Sequence, residues 1–87
     1  MQQDHLILGI HIQNRMKAAP AVQALLGEYG CNIRTRLGLH EASETSCSNA
    51  GVILLEMIGH PAKIAELEAK LAGLAGVSVQ KMVFGHA

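Results

Sequence analysis

An imidazole and a thiol, His40 and Cys47, lie seven residues apart within the least hydrophobic stretch of this chain. Both groups bind borderline-soft divalent cations such as zinc or nickel. A structural zinc site usually has four convergent ligands, so this pair would need others from a folded-back loop or from another subunit. The pair predicts either a metal site or, the interpretation we favour, a polar loop tip with a free cysteine.

A second candidate site consists of His11, Arg34, Arg36 and His40. His11 belongs to a predicted strand. In the predicted strand at residues 31–39, side chains alternate between the two faces of the sheet. This alternation predicts that Leu37 faces the core, while Arg36 faces away from it and lies beside His11. Such a group could bind an anion or a small carboxylate through charge-assisted hydrogen bonds. We favour the alternative that these are polar residues of a surface or an interface.

Acidic residues form no predicted catalytic pair. Glu66 and Glu68 fall on the solvent side of a predicted helix, and Glu41 and Glu44 fall in the polar stretch. Catalysis needs a nucleophile, or an acid and a base, that converge in a concave pocket. The sequence therefore predicts a protein that is not an enzyme and that has no cofactor.

Length and composition narrow the class of protein. The chain has 87 residues, which is one domain with a small core. Aromatic residues are only 2% of the chain, so base-stacking platforms are not expected. The net charge is +0 with basic residues dispersed, which argues against direct nucleic-acid binding. The longest apolar run near the start is too short for a membrane span or a signal sequence, so we expect a soluble cytoplasmic protein.

Hydrophobic periodicity predicts six elements. Alternation predicts strands at 5–12, 31–39, 51–59 and 77–84. Helical spacing predicts one helix that ends at Gly30 and a second that runs from Pro61 to Gly76. The start of the first helix is open, because Pro20 would either bend a helix that begins at Arg15 or delay its start to about residue 19.

The order β-α-β-β-α-β predicts a ferredoxin-like α+β sandwich, a single domain over residues 1–87. Right-handed crossovers place the first and third strands in the centre of a four-stranded antiparallel sheet, with both helices on one face. The opposite face, which we call the open face, is predicted to be apolar and to form a homo-oligomer, a dimer or a tetramer. Its predicted interface residues are Ile7, Val52, Leu54 and Ile58. The third strand is apolar on both faces, so its side chains could point the opposite way, and Ile53, Leu55 and Met57 would then lie on the open face.

Two stretches carry a family resemblance. Residues 59–77, GHPAKIAELEAKLAGLAGV, resemble the helix-Gly-Val segment of the C-terminal, ACT-like domain of nickel-responsive repressors. Arg36-Leu-Gly38, followed by the polar hairpin, resembles the small regulators of the iron-only hydrogenase system. The second resemblance implies a stand-alone, oligomeric ACT-like domain that regulates or accompanies hydrogenase maturation, through a small-molecule effector or a partner protein.

The sequence departs from the repressors at the positions of their nickel ligands, so a nickel site of their type is not expected. The repressors hold nickel with a His-x-His strand motif and a cysteine, whereas the matching positions here are Arg34–Leu39 and Gly51, with His40 at the end of the strand. The repressors' DNA-binding segment would precede the first strand, which begins near residue 5, so specific DNA binding is not expected either.

Three functions remain, in this order of preference. The first is a regulatory or ligand-sensing oligomerisation module. The second is a metal-binding ACT-like sensor that holds nickel or another divalent cation with His40 and Cys47. The third is a small ferredoxin-like enzyme, because this fold also hosts enzymes.

Overall fold

The computed structural model of the 87-residue chain describes residues 5–42 and 47–85. Its elements, in chain order, are β1 (His5–Ile12), α1 (Arg15–Glu28), a short 3-10 turn (Gly30–Asn32), β2 (Ile33–Ala42), β3 (Cys47–Met57), α2 (Pro61–Ala72) and β4 (Val77–Phe84). The strands form one antiparallel sheet in the order β2-β3-β1-β4. This topology confirms the predicted ferredoxin-like sandwich, with β1 and β3 in the centre.

The core lies between the sheet and the two helices. Leu8, Ile10 and Leu55 of the central strands have no exposed surface, because alternation points them towards the helices. The helices contribute Val22, Leu26, Leu67 and Leu71 to the same cluster. The core is therefore aliphatic, and Tyr29 is the one aromatic residue buried within the described ranges.

Helix α1 begins at Arg15 and includes Pro20. The backbone N–H of Ala18 donates to the carbonyl oxygen of Asn14 at 3.1 Å, so the first turn is closed before the proline. Pro20 is exposed, and its nitrogen cannot donate the backbone hydrogen bond that another residue would make at this position. The later start near residue 19 is therefore wrong.

Helix α2 begins at Pro61 as predicted but ends at Ala72, earlier than expected. Nδ1 of His60 accepts a hydrogen bond of 3.0 Å from the backbone N–H of Ala62 and so caps the helix. Gly76 lies beyond the helix, in the turn into β4, with a φ of 75° that favours glycine. Neither helix in the described ranges is long and apolar enough to span a membrane.

Strand β2 contains a β-bulge near its start. Ile33 pairs with Met57 and packs against the core, whereas Thr35 pairs with Glu56 on the open face. Residues two apart on a regular strand point to the same side, so the extra residue, Arg34, reverses the direction of the side chains that follow it. The bulge decides which residues of β2 reach the open face.

Candidate functional site

The open face of the sheet carries side chains that neither helix covers. Directly paired residues of an antiparallel sheet point to the same side, so the register determines which residues belong to this face. Its described residues are His5, Ile7, Gly9 and His11 of β1, Thr35 and Leu37 of β2, Val52, Leu54 and Glu56 of β3, and Ser78, Gln80, Met82 and Phe84 of β4. The face is apolar at its centre, and polar groups lie towards both ends of β1.

The side chains of β3 face the two sides of the sheet as the first of the two predicted arrangements requires. The predicted interface residues Ile7, Val52 and Leu54 are half-buried on the open face, and Ile58, directly after β3, is 38% exposed. Ile53, Leu55 and Met57 are buried in the core, so the reversed register is wrong. That the open face forms an interface stays a prediction.

Three large apolar residues of the open face escaped the sequence-based prediction. Leu37, Met82 and Phe84 are 52%, 51% and 54% exposed. Met82 and Phe84 alternate along β4, and this spacing could have identified them. Leu37 could not be assigned in this way, because the bulge reverses the side chains after Arg34.

The candidate anion site is not assembled as predicted. Nη2 of Arg36 donates to Oε1 of Gln23 in α1 at 2.6 Å, so Arg36 points towards the helices. His11 pairs with Val52 on the open face. The predicted placement of Arg36 beside His11 is therefore wrong, and the physical reason is the bulge. Arg34 is exposed at the bulge, while the side chain of His40 lies outside the described part of the structure.

The alternative metal pair stays a prediction. The backbones of His40 and Cys47 belong to β2 and β3, but both side chains lie outside the described part of the structure. Among the described residues, no group of three or more His, Cys, Asp or Glu side chains comes together. Cys31, whose side chain is described, is free and exposed.

Glu56 lies at one end of the open face, between two neighbouring strands. Its Oε1 accepts a hydrogen bond of 3.1 Å from Oγ1 of Thr35, and its Oε2 is 3.5 Å from Nδ1 of His5. The Glu56 side chain is 30% exposed, so sheet contacts replace much of its hydration. Both oxygens have partners, which suits a structural role better than that of a catalytic base.

A hollow of about 400 Å³ lies at the other end of the open face. It is lined by Gly9, Ile10, His11, Val52, Ser78 and Gln80. A Cβ atom on Gly9 would lie 3.7 Å from Cδ2 of Leu54 and 3.8 Å from the carbonyl oxygen of Gln80, so the missing side chain opens the floor of this hollow. A second hollow of about 300 Å³ shares His11 and Ser78 with it.

Comparisons with known proteins identify the fold. No protein-family model and no curated protein matches the chain. The uncharacterized protein TM1266 from Thermotoga maritima is 28% identical over 91% of this chain and 94% of that chain, with a TM-score of 0.77. The C-terminal domain of the MgtC protein from Mycobacterium tuberculosis is 18% identical over 100% of this chain and 97% of that chain, with a TM-score of 0.66. A dimeric ferredoxin-like protein from an uncultured marine organism is 11% identical over 93% of this chain and 94% of that chain, with a TM-score of 0.51.

Proposed function

We propose that this chain is a non-enzymatic, cytoplasmic regulatory module that self-associates through the open face of its sheet. The observation that carries the proposal is the group of large apolar residues that the helices leave uncovered. Leu37, Met82 and Phe84 are each about half exposed, and they pair across the strands with Leu54, Ile7 and His5. A contiguous apolar surface of this kind commonly marks an interaction site.

The energetics favour self-association. Covering about 300 Å² of apolar surface on each of two copies contributes about 15 kcal/mol, at about 25 cal/mol per Å². Association costs about 4–15 kcal/mol in lost translational and rotational freedom, and ordering of side chains adds to this cost, so the gross apolar contribution is of the size that association requires. Net charge does not oppose the contact, because it is +0. The dimeric protein of the same fold supports the idea that such a domain can pair.

The process in which we place this module is the iron-only hydrogenase system. The support is the resemblance of Arg36-Leu-Gly38, with the hairpin that follows, to regulators of that system. The similarity to TM1266 extends over 94% of that chain, so a chain of about this length adopts the same fold. A regulator of this size would act by binding a small effector or a partner protein.

Light scattering on the full chain at tens of micromolar tests self-association. We expect the wild type to have at least twice the mass of one chain. Leu54→Glu and Leu37→Glu should shift it towards one chain while the circular dichroism spectrum is retained, because each puts a charge in the proposed contact. Leu55→Glu should unfold the domain, since Leu55 is fully buried.

Ala65→Glu is the matched control, because it adds the same charge at an exposed position of α2 and should leave the mass unchanged. A wild-type mass of one chain would overturn the self-association proposal. The link to hydrogenase is tested separately, by deleting the gene and measuring hydrogenase activity in the cells. Unchanged activity would remove that link and leave the self-association result standing.

A further inference from the structure

We propose that the hollow around Gly9 is a binding site for a small aliphatic monocarboxylate. The described lining residues belong to one chain, and Val52 among them is also part of the proposed self-association surface, so a ligand in the hollow would compete with that contact. Three arguments support the site: the arrangement of hydrogen-bond donors, the lack of acidic side chains in the described lining, and its apolar wall.

The donors lie side by side on two strands. His11 pairs directly with Ser78, and Gly9 pairs directly with Gln80. Paired residues have Cβ atoms about 4.5–5.5 Å apart, which lets an imidazole N–H and a hydroxyl each donate to one oxygen of the same carboxylate. The amide of Gln80 supplies a third donor. Within the described residues these three side chains make no hydrogen bond with another group, so their donors are available to a ligand.

The described lining of the hollow offers hydrogen-bond donors and no acidic group. None of the described lining residues is Asp or Glu, so they would not hold a cation. The acid of the open face, Glu56, is four residues from Val52 along β3, which is about 13 Å of strand. None of the described lining residues is Lys or Arg either, so among them the fixed positive charges that phosphates usually require are lacking. One imidazole and two neutral donors therefore match a singly charged carboxylate better than a phosphate.

The remaining wall of the hollow is apolar. Val52 pairs with His11 from the other side of β1, and Leu54 lies against Gly9. A short branched alkyl group could pack there while its carboxylate contacts His11 and Ser78. The volume of about 400 Å³ leaves ample room for a short-chain acid.

Titration of the ¹⁵N-labelled full chain with sodium isobutyrate, followed by amide chemical shifts, tests the proposal. We expect saturable shifts confined to Gly9, His11, Val52, Ser78 and Gln80, with a Kd of about 1 mM for so small a probe. Isobutyramide, of the same shape without the charge, should bind at least tenfold more weakly. Sodium chloride at equal ionic strength should not reproduce the shifts.

Gly9→Ala should weaken isobutyrate binding at least tenfold, because the added methyl group fills the floor of the hollow. Its contacts of 3.7 and 3.8 Å are ordinary, so the fold should be kept. Ser78→Ala, at an exposed position, removes one donor and should also weaken binding. Gly27→Ala is the matched control, since nothing lies within 4 Å of its Cβ position.

Three results would overturn the proposal: no saturable shifts at the hollow, equal binding of the amide, or the same shifts with chloride. Unchanged affinity in both Gly9→Ala and Ser78→Ala would overturn it as well. Because self-association would cover Val52 and Leu54, the titration is done on Leu37→Glu as well as on the wild type. The absence of binding in both proteins would overturn the ligand site, whatever mass light scattering gives, so the two failures are distinguishable.

Discussion

The side-chain amide of Asn32 donates a hydrogen bond of 3.1 Å to the carbonyl oxygen of Ile58, and the N–H of Ile58 donates to the carbonyl oxygen of Asn32 at 2.8 Å. This reciprocal contact joins the turn before β2 to the residue after β3. Gly59 follows with a φ of 94°, and a Cβ there would lie 2.5 Å from Nδ2 of Asn32. The junction therefore requires glycine for its conformation and for the close approach of Asn32.

Gly59→Ala should lower the free energy of unfolding by about 1–3 kcal/mol, because it strains the backbone and displaces the Asn32 amide. Urea denaturation followed by circular dichroism measures this change. Gly27→Ala is the control, and it should raise stability by up to about 1 kcal/mol, since alanine is the better helix former. Wild-type stability in Gly59→Ala would show that the junction adjusts freely.

Arg36→Ala should lower stability by about 0.5–1 kcal/mol, because it removes the exposed hydrogen bond from β2 to Gln23 of α1. Gln23→Ala should have a similar effect, and the double variant should be less destabilised than the sum of the two single changes. Arg36→Ala should leave isobutyrate binding unchanged, because Arg36 points away from the open face. Weaker isobutyrate binding by Arg36→Ala would show that Arg36 does contribute to the ligand site.

His60→Ala should lower stability by about 0.5–2 kcal/mol, because the backbone N–H of Ala62 loses its capping acceptor. His60→Asp should retain most of the stability, since a carboxylate can accept the same hydrogen bond and interacts favourably with the helix N-terminus. Chemical denaturation of the three proteins at pH 7 provides the comparison. Equal stability of His60→Ala and the wild type would mean that water caps the helix as well as His60 does.

Lys70 of α2 links the two helices, with its Nζ 5.1 Å from the centroid of the Tyr29 ring and 3.7 Å from Oε1 of Glu28. The interaction with the Tyr29 side chain is the main cause that raises the pKa of Lys70 above its ordinary value of 10.5, and Glu28 adds to it. A raised pKa in the folded state stabilises the fold below pH 10.5, and this contribution is lost as the pH rises through the folded-state pKa.

Lys70→Met should therefore be less stable than the wild type at pH 7, and the difference should narrow above pH 10.5. Lys63→Met, at an exposed position of the same helix, is the matched control and should show a smaller difference at pH 7. Urea denaturation at both pH values measures the two differences. A difference for Lys70→Met that grows with pH would contradict this account.

Calorimetric titration of the metal-free chain with nickel should show no submicromolar site of the repressor type. The positions that would carry the His-x-His motif hold arginines, and Arg36 contacts α1 instead. Tight binding that either His40→Ala or Cys47→Ala abolishes would establish a metal site at the hairpin and favour the sensor alternative.

The spacing of hydrophobic residues along the sequence was sufficient to predict the order of the strands and helices and most of the core. Every second residue of β1 is a large aliphatic residue, and the stripe that includes Leu67 and Leu71 on α2 has to bury against the same face. Burial of these residues allows few arrangements, so Leu8 and Ile10 could be placed without coordinates, whereas Leu55 could not, because β3 is apolar on both faces. Gly76 was predicted to end the second helix, but α2 ends four residues earlier, at Ala72, since helix ends depend on local hydrogen bonds that composition does not reveal.

The sequence by itself determined the ferredoxin-like order of strands and helices, the aliphatic core and the apolar character of β3. Only the tertiary structure decided which side chains of β2 reach the open face. Arg34 occupies a bulge whose single extra residue leaves no signature in the hydrophobic pattern, yet it moves Leu37 to the open face and Arg36 to the helices. The hollow at Gly9 likewise depends on the register of three strands, because residues far apart in sequence meet there only when the sheet pairs.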